Sequence, residues 1–345
     1  MMDLTDLRKD VQEYYGKTIQ QTKDLVTNAC CLADPGFSER ESEILSQIHP
    51  EIINKFYGCG SPIPSCIEGK TVLDLGCGTG RDCYLASALV GQQGKVIGVD
   101  MTDEQLDIAR NHTDYHKEKF GYAESNVSFL KGTIEDLQSI GIQDDSVDVV
   151  ISNCVINLSG DKEKVISEIW RILKEGGELY FSDIFSDRRI PDHLQKDSVL
   201  WGECLSGALY IEDFRRLMER VGFKSYYSVK KSKVTIDNQM VQMQVGPINF
   251  YSITIRAFKI PEIEDRCEDY GQEAFYLGTI EGIQDEFKFD AQHIFKRGEP
   301  VRICRNFSEI FKKSRFAPHF EVSEEGDHQG ILDLPGVCDA KDGCC

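Results

Sequence analysis

The feature that most restricts the fold is Thr71-Val72-Leu73-Asp74-Leu75 running straight into Gly76-Cys77-Gly78-Thr79-Gly80. A short apolar run that ends in alternate glycines reads as a buried strand closing in a tight turn, where absent side chains let the backbone approach a ligand. The same alternation continues downstream. Residues 82–90 are predicted as a helix, 95–100 as a second strand, and 103–120 as a helix with Thr102 as its N-cap. Residues 127–130, 147–152 and 178–183 read as three further strands, with a helix over 162–173 that stops at Gly176-Gly177. This order predicts an α/β chain: a Rossmann-like, doubly wound parallel sheet with helices on both faces.

The 345 residues leave room for more than that sheet. Residues 1–60 read as an N-terminal helical cap with loop cysteines, in which Leu4, Leu7, Val11 and Tyr14-Tyr15 recur at helical spacing and a second helix covers 39–48. Residues 61–260 form the main domain, with a helical stretch around 191–201, a helix over 211–221, and two β-rich segments, 226–236 and 248–260, that predict an antiparallel edge. Residues 261–345 read as a smaller C-terminal α+β domain whose polar tail, from Glu324 on, is expected to be disordered.

Charge narrows the partners. A formal net charge of −19 disfavours phosphate backbones and anionic membranes, and no apolar stretch approaches the roughly 18 residues of a membrane span. Met1-Met2-Asp3-Leu4-Thr5-Asp6 lacks a basic stretch followed by an apolar one, so no secretory leader is predicted and a cytoplasmic monomer is expected. Thirteen cysteines in a reducing compartment point to soft-metal binding or redox chemistry rather than a disulfide framework.

The glycine turn is G-x-G-x-G, and Arg81 stands where a dinucleotide fingerprint has its glycine, which disfavours a pyrophosphate cofactor. Asp74, Gly76, Gly78, Gly80 and Arg81 form the first part of the predicted cofactor site. The second strand ends at Asp100, whose carboxylate can accept from two ribose hydroxyls, with Met101 beside it to cover an adenine face. Ile134 and Glu135 follow the third strand, and Asn153 follows the fourth. These features, in this order at successive strand ends, resemble the class I methyltransferases, and the resemblance implies S-adenosylmethionine as cofactor.

Methyl transfer from a sulfonium is an in-line displacement, so the acceptor must be held opposite the leaving sulfur. After the fourth strand the chain reads Ser152-Asn153-Cys154-Val155-Ile156-Asn157-Leu158, which puts a cysteine where the acceptor should lie. A second cysteine falls in Trp201-Gly202-Glu203-Cys204-Leu205, after the fifth strand. With Thr27-Asn28-Ala29-Cys30, Tyr57-Gly58-Cys59-Gly60 and Val11-Gln12-Glu13-Tyr14-Tyr15-Gly16, these motifs resemble the eukaryotic arsenite methyltransferase family over most of the chain.

Trivalent arsenic is soft and thiophilic, and its lone pair can attack a methyl group without a general base. The resemblance implies that Cys154 and Cys204 hold arsenic through methylation, that Cys59 adds a third thiolate in the first round, and that Cys30 pairs with Cys59 in thiol–disulfide exchange. Cys31 adjoins Cys30; the family motif favours Cys30. An external thiol, glutathione or thioredoxin, is then needed as reductant. Two other functions remain open on the residues alone: a class I methyltransferase for another small molecule, and a non-catalytic metalloid-binding protein. His112 and His116 stand at metal-binding spacing, but no third ligand is evident, and a polar helix face explains them better.

Overall fold

In the computed structural model, residues 11, 12, 14, 37–56, 58, 60 and 62–332 are described. Two short helices, α1 (Glu39–Leu45) and α2 (Pro50–Asn54), lead into the main domain. The strands β1 (Thr71–Leu75), β2 (Lys95–Asp100), β3 (Val127–Lys131), β4 (Val147–Asn153) and β5 (Leu173–Ser186) pair in parallel in the order β3-β2-β1-β4-β5. Beyond β5 lie β8 (Phe250–Phe258) and then β7 (Tyr227–Lys233), both paired antiparallel, as expected for that edge. A two-residue strand, β6 (Leu209–Tyr210), extends the far end of β5.

Side-chain alternation builds the two faces. On β1, Val72 joins an apolar cluster with Tyr84, Leu85 and Ile52, whereas Leu73 and Leu75 join another with Val165, Ile166 and Ile169. Helices α3 (Arg81–Val90) and α4 (Asp103–Asn111) contribute to the first cluster, and α6 (Lys162–Ile172) and α8 (Ile211–Val221) to the second. The strand order reverses between β1 and β4, so a crevice opens at their carboxyl ends, the usual ligand position in such sheets.

Several boundaries differ from the sequence reading. The helix expected over 103–120 is broken at His112 into α4 and α5 (Thr113–Lys119), and Thr102 occupies its N-cap position without a side-chain cap bond. Helix α6 ends at Ile172 rather than at the glycine pair, because Leu173 already pairs with Val147 and the Gly176 amide donates to the Lys259 carbonyl. Both glycines thus lie inside β5. Of the helical stretch expected around 191–201, only α7 (Ser198–Gly202) forms, started by the Asp197 carboxylate. The helix expected over 39–48 stops at Leu45. An unexpected helix, α9 (Gln239–Val245), interrupts the edge and is capped by Asn238.

The C-terminal region contains a three-stranded antiparallel sheet of β9 (Glu273–Tyr276), β12 (Pro300–Arg302) and β13 (Phe320–Val322), and a hairpin of β10 (Glu286–Lys288) and β11 (Ile294–Lys296). With α10 (Arg305–Lys313), these elements enclose Phe287, Phe289, Phe295, Phe307, Phe311 and Phe316. That core also takes in Tyr227 and Phe258 from the large sheet. The tail expected to be disordered from Glu324 is exposed but tied down as far as Leu332: the amides of Gly326, Gln329 and Leu332 donate to the Tyr270, Asp269 and Cys267 carbonyls, and the Leu332 side chain is buried. Among the described residues, no helix is long and apolar enough to cross a membrane.

Candidate functional site

The crevice is lined by Asp74, Gly76, Gly78, Asp100, Met101, Ile134, Glu135 and Asn153, all expected from the sequence, and by Cys154. Gly80 and Arg81 are not on its wall. Gly80 starts α3 at φ 88°, and a Cβ there would stand 2.9 Å from the Phe129 ring. The Arg81 guanidinium lies over Phe56 and forms an ion pair with Asp82 (2.6 Å).

The glycine turn is open where a ligand would need it. Gly78 has φ 53°, and among described atoms only Gln105 Oε1, at 3.8 Å, lies within 4 Å of a Cβ built there. Because Gly78 lines the crevice, a side chain there would add bulk to its wall. The Gly78 amide donates to Asp100 Oδ2 (2.9 Å) and the Thr102 amide to Oδ1 (2.8 Å), which fixes the carboxylate at the strand end. Burial raises the Asp100 carboxyl, against those two amides. Burial and the neighbouring Asp82 raise Asp74 further. Four acidic residues, Asp74, Asp82, Asp100 and Glu135, line one crevice, and Asp82 is paired with Arg81. A cation entering the crevice would draw these buried carboxyls towards their charged form, so the lining suits one. The sulfonium and ribose of S-adenosylmethionine fit this donor and acceptor set.

Sequence reasoning missed part of the wall. Val11, Lys55 and Phe56 come from the N-terminal segment. Gln12 Nε2 donates to the Met101 carbonyl (3.1 Å), and the Tyr14 hydroxyl donates to Glu203 (2.7 Å). The N-terminal segment therefore reaches both Met101 on the crevice wall and Glu203, the neighbour of Cys204. Helical spacing picked out Val11 and Tyr14 but not the partners they meet, and Lys55 and Phe56 carried no such signal.

Cys154 follows β4 and Cys204 follows α7; their sulfurs and a carboxylate oxygen of Asp183 all lie within 4.8 Å of one another, buried. Both cysteines hold left-handed backbone, at φ 58° and φ 60°. This conformation is unfavourable for a residue with a Cβ and concentrates at functional sites. The Cys204 thiol donates to the Cys154 carbonyl (3.2 Å). Cys154 is held in a disulfide, so its sulfur must be reduced before it can bind a ligand. Asp183, pushed up to about 7 by burial, accepts from the Asn157 amide, the Asn157 side chain and the Ile184 amide. The Lys162 ammonium, pushed down to about 8 by burial, stands over Trp201 and donates to the Ser159 carbonyl. Cys30, Cys31 and Cys59 lie outside the described residues.

His112 and His116 do not form the pair their spacing allows, nor do both lie on a polar helix face, since His116 is buried. His112 Nε2 meets Glu51 (2.9 Å) and its ring stacks on His49, whereas His116 points inward, stacks on Tyr84 and accepts from the His49 amide.

Comparison with known proteins places this geometry. A family model described as a methyltransferase domain matches residues 67–222, and one described as the arsenite methyltransferase C-terminal domain matches residues 270–343. The arsenite methyltransferase of Aquipseudomonas alcaligenes is 47% identical over 95% of this chain and 94% of its own length. The chain belongs to the arsenite methyltransferase family. The human arsenite methyltransferase is 41% identical over 97% of this chain and 88% of its own. Within the family, a crystal structure of an arsenic(III) S-adenosylmethionine methyltransferase from Chlamydomonas reinhardtii is 46% identical, with a TM-score of 0.83, covering 86% of this chain and all of that one. The class I methyltransferase fold and the smaller C-terminal domain agree with the expectation from the sequence.

Proposed function

We propose that this chain transfers methyl groups from S-adenosylmethionine to trivalent arsenic held by the thiolates of Cys154 and Cys204. One observation carries the arsenic half: two cysteines fifty positions apart, both in left-handed backbone, bring their sulfurs within 4.8 Å at the edge of the acid-walled crevice. Paired thiolates are the natural ligands of a soft, thiophilic ion. When bound, the cofactor supplies an electrophilic methyl group. The chain's part is to hold the acceptor in line with it, as proximity catalysis requires.

The crevice gives each half its own wall. Asp100 would hold the cofactor's ribose, Met101 and Ile134 would line its purine, and the acidic wall would favour its sulfonium. Cys59 adds the third thiolate in the first round, and Cys30 exchanges with it. The disulfide at Cys154 supports the need for an external thiol, glutathione or thioredoxin, before arsenic enters.

The test is the reduced protein with arsenite, S-adenosylmethionine and glutathione, with arsenic species separated chromatographically. Methylated arsenic is expected; its absence sinks the proposal. Cys154→Ser and Cys204→Ser should each abolish product while cofactor affinity stays nearly unchanged. Cys30→Ser and Cys59→Ser should stop the first methylation yet spare a monomethylated trivalent substrate, which needs two protein thiolates.

A further inference from the structure

We propose that Asp183 is a catalytic carboxylate of this site, placed to stabilise the positive charge that arsenic acquires as it takes the methyl group. The proposal rests on the reading that Cys154 and Cys204 hold arsenic. A carboxylate oxygen of Asp183 and the two sulfurs lie within 4.8 Å of one another, so an arsenic atom bridging those sulfurs faces the carboxylate. Asp183 is 1% exposed, so bulk solvent screens its charge little.

The charge movement gives such a group a use. The arsenic lone pair forms the arsenic–carbon bond while the carbon–sulfur bond of the sulfonium breaks, its electron pair staying on that sulfur. Arsenic goes from trivalent to pentavalent, no proton moves, and one unit of positive charge passes from the sulfonium to arsenic. The carboxylates of Asp74, Asp82, Asp100 and Glu135 wall the cofactor's end of the crevice. They stabilise the charge where it starts and so oppose its departure. A negative group at the receiving end offsets this, because only interactions stronger in the transition state than in the ground state accelerate the step.

Asp183 meets the requirement of preorganisation. Oδ2 accepts from the Asn157 amide (3.0 Å), and Oδ1 accepts from Asn157 Nδ2 (2.7 Å) and the Ile184 amide (2.8 Å). Asn157 Nδ2 is itself fixed by a second bond to the Ile184 carbonyl. The ammonium of Lys162 donates to the Ser159 carbonyl (2.8 Å) rather than closing on the carboxylate. A dipole or charge held in place this way needs no reorganisation during the reaction.

The test uses the full reduced chain, monomethylarsonous acid and S-adenosylmethionine. Asp183→Asn should lower the single-turnover rate about 10²–10³-fold, the range for losing one preorganised electrostatic group. Equilibrium affinity for the arsenical and for the cofactor should stay within about threefold, since the charge to be stabilised does not exist in the ground state. Asn157→Ser, which loosens the same loop but keeps the carboxylate, should cost about tenfold or less. A rate unchanged in Asp183→Asn, a parallel loss of arsenical affinity, or an equal loss in Asn157→Ser would each overturn the proposal. If the Asn variant does not fold, Asp183→Glu decides: a lower rate at unchanged affinity supports the role, and an unchanged rate refutes it. Failure of the parent chain to methylate arsenic would instead refute the underlying reading of Cys154 and Cys204.

Discussion

Gly78 and Gly69 have similar backbone, φ 53° and φ 70°, and neither has a described atom closer than 3.8 Å to an added Cβ. Replacing either by alanine costs the same conformational strain, about 1–2 kcal/mol. Only Gly78 stands on the crevice wall. Gly78→Ala should therefore weaken S-adenosylmethionine binding, measured by calorimetry, by more than about tenfold, whereas Gly69→Ala should lower stability alone. The comparison separates a glycine kept for its turn from one kept for its ligand. At this scale the sequence was most informative where a residue type has one physical reason to be present. Gly76, Gly78, Asp100 and Cys154 fall on the crevice wall, where their places in the sequence put them, and Cys204 lies beside Cys154. Asp183 was not legible: a carboxylate at the end of a strand has many ordinary explanations, and only the packing shows it beside two sulfurs. The left-handed backbone at Cys154 and Cys204 was equally hidden, because cysteine has no preference for it.

Helix α2 is held against α4 and α5 by a small aromatic and imidazole clamp. His116 stacks between this junction and Tyr84, and its Nε2 accepts from the His49 amide at the start of α2. Burial pushes His116 down to about 4, against the His112 carbonyl that favours its proton. The folded chain thus binds this proton less readily than the unfolded one, so the stabilisation is complete above the ordinary imidazole value of 6.5 and is lost as pH falls towards 4. Protonation also removes the acceptor for the His49 amide. Since Lys55 and Phe56 follow α2 onto the crevice wall, acid should loosen the cofactor site as well. His116→Gln, which cannot titrate, should show a flatter fall of the urea midpoint across that window than the parent chain. Element boundaries explain where sequence reading fell short. The glycines at 176 and 177 carried a stop signal, yet pairing of Leu173 with Val147 starts the strand earlier. Asn238 and Gly246 flank α9 as ordinary start and stop signals, and the apolar run around them concealed the helix.

Across the whole molecule, the joint between the large sheet and the C-terminal region is ionic at its centre. Glu178 on β5, fully buried, binds Arg256 on β8 (2.6 Å) and Arg315 from the C-terminal region (2.5 Å). Arg256 also donates to the Phe289 carbonyl, and Arg315 to the Ser65 carbonyl. Glu178→Ala leaves two guanidiniums buried without their carboxylate, and should cost about 3–5 kcal/mol in denaturant unfolding. Because Tyr227 and Phe258 of the large sheet belong to the C-terminal core, that loss should lower a single unfolding transition rather than release one part. The acid-walled crevice has a consequence on the same scale. Each methyl transfer leaves the bound nucleoside one positive charge poorer while its surroundings stay equally negative. The wall therefore discriminates by charge: it should attract the cationic donor more than the neutral nucleoside left behind, and added salt should narrow that difference.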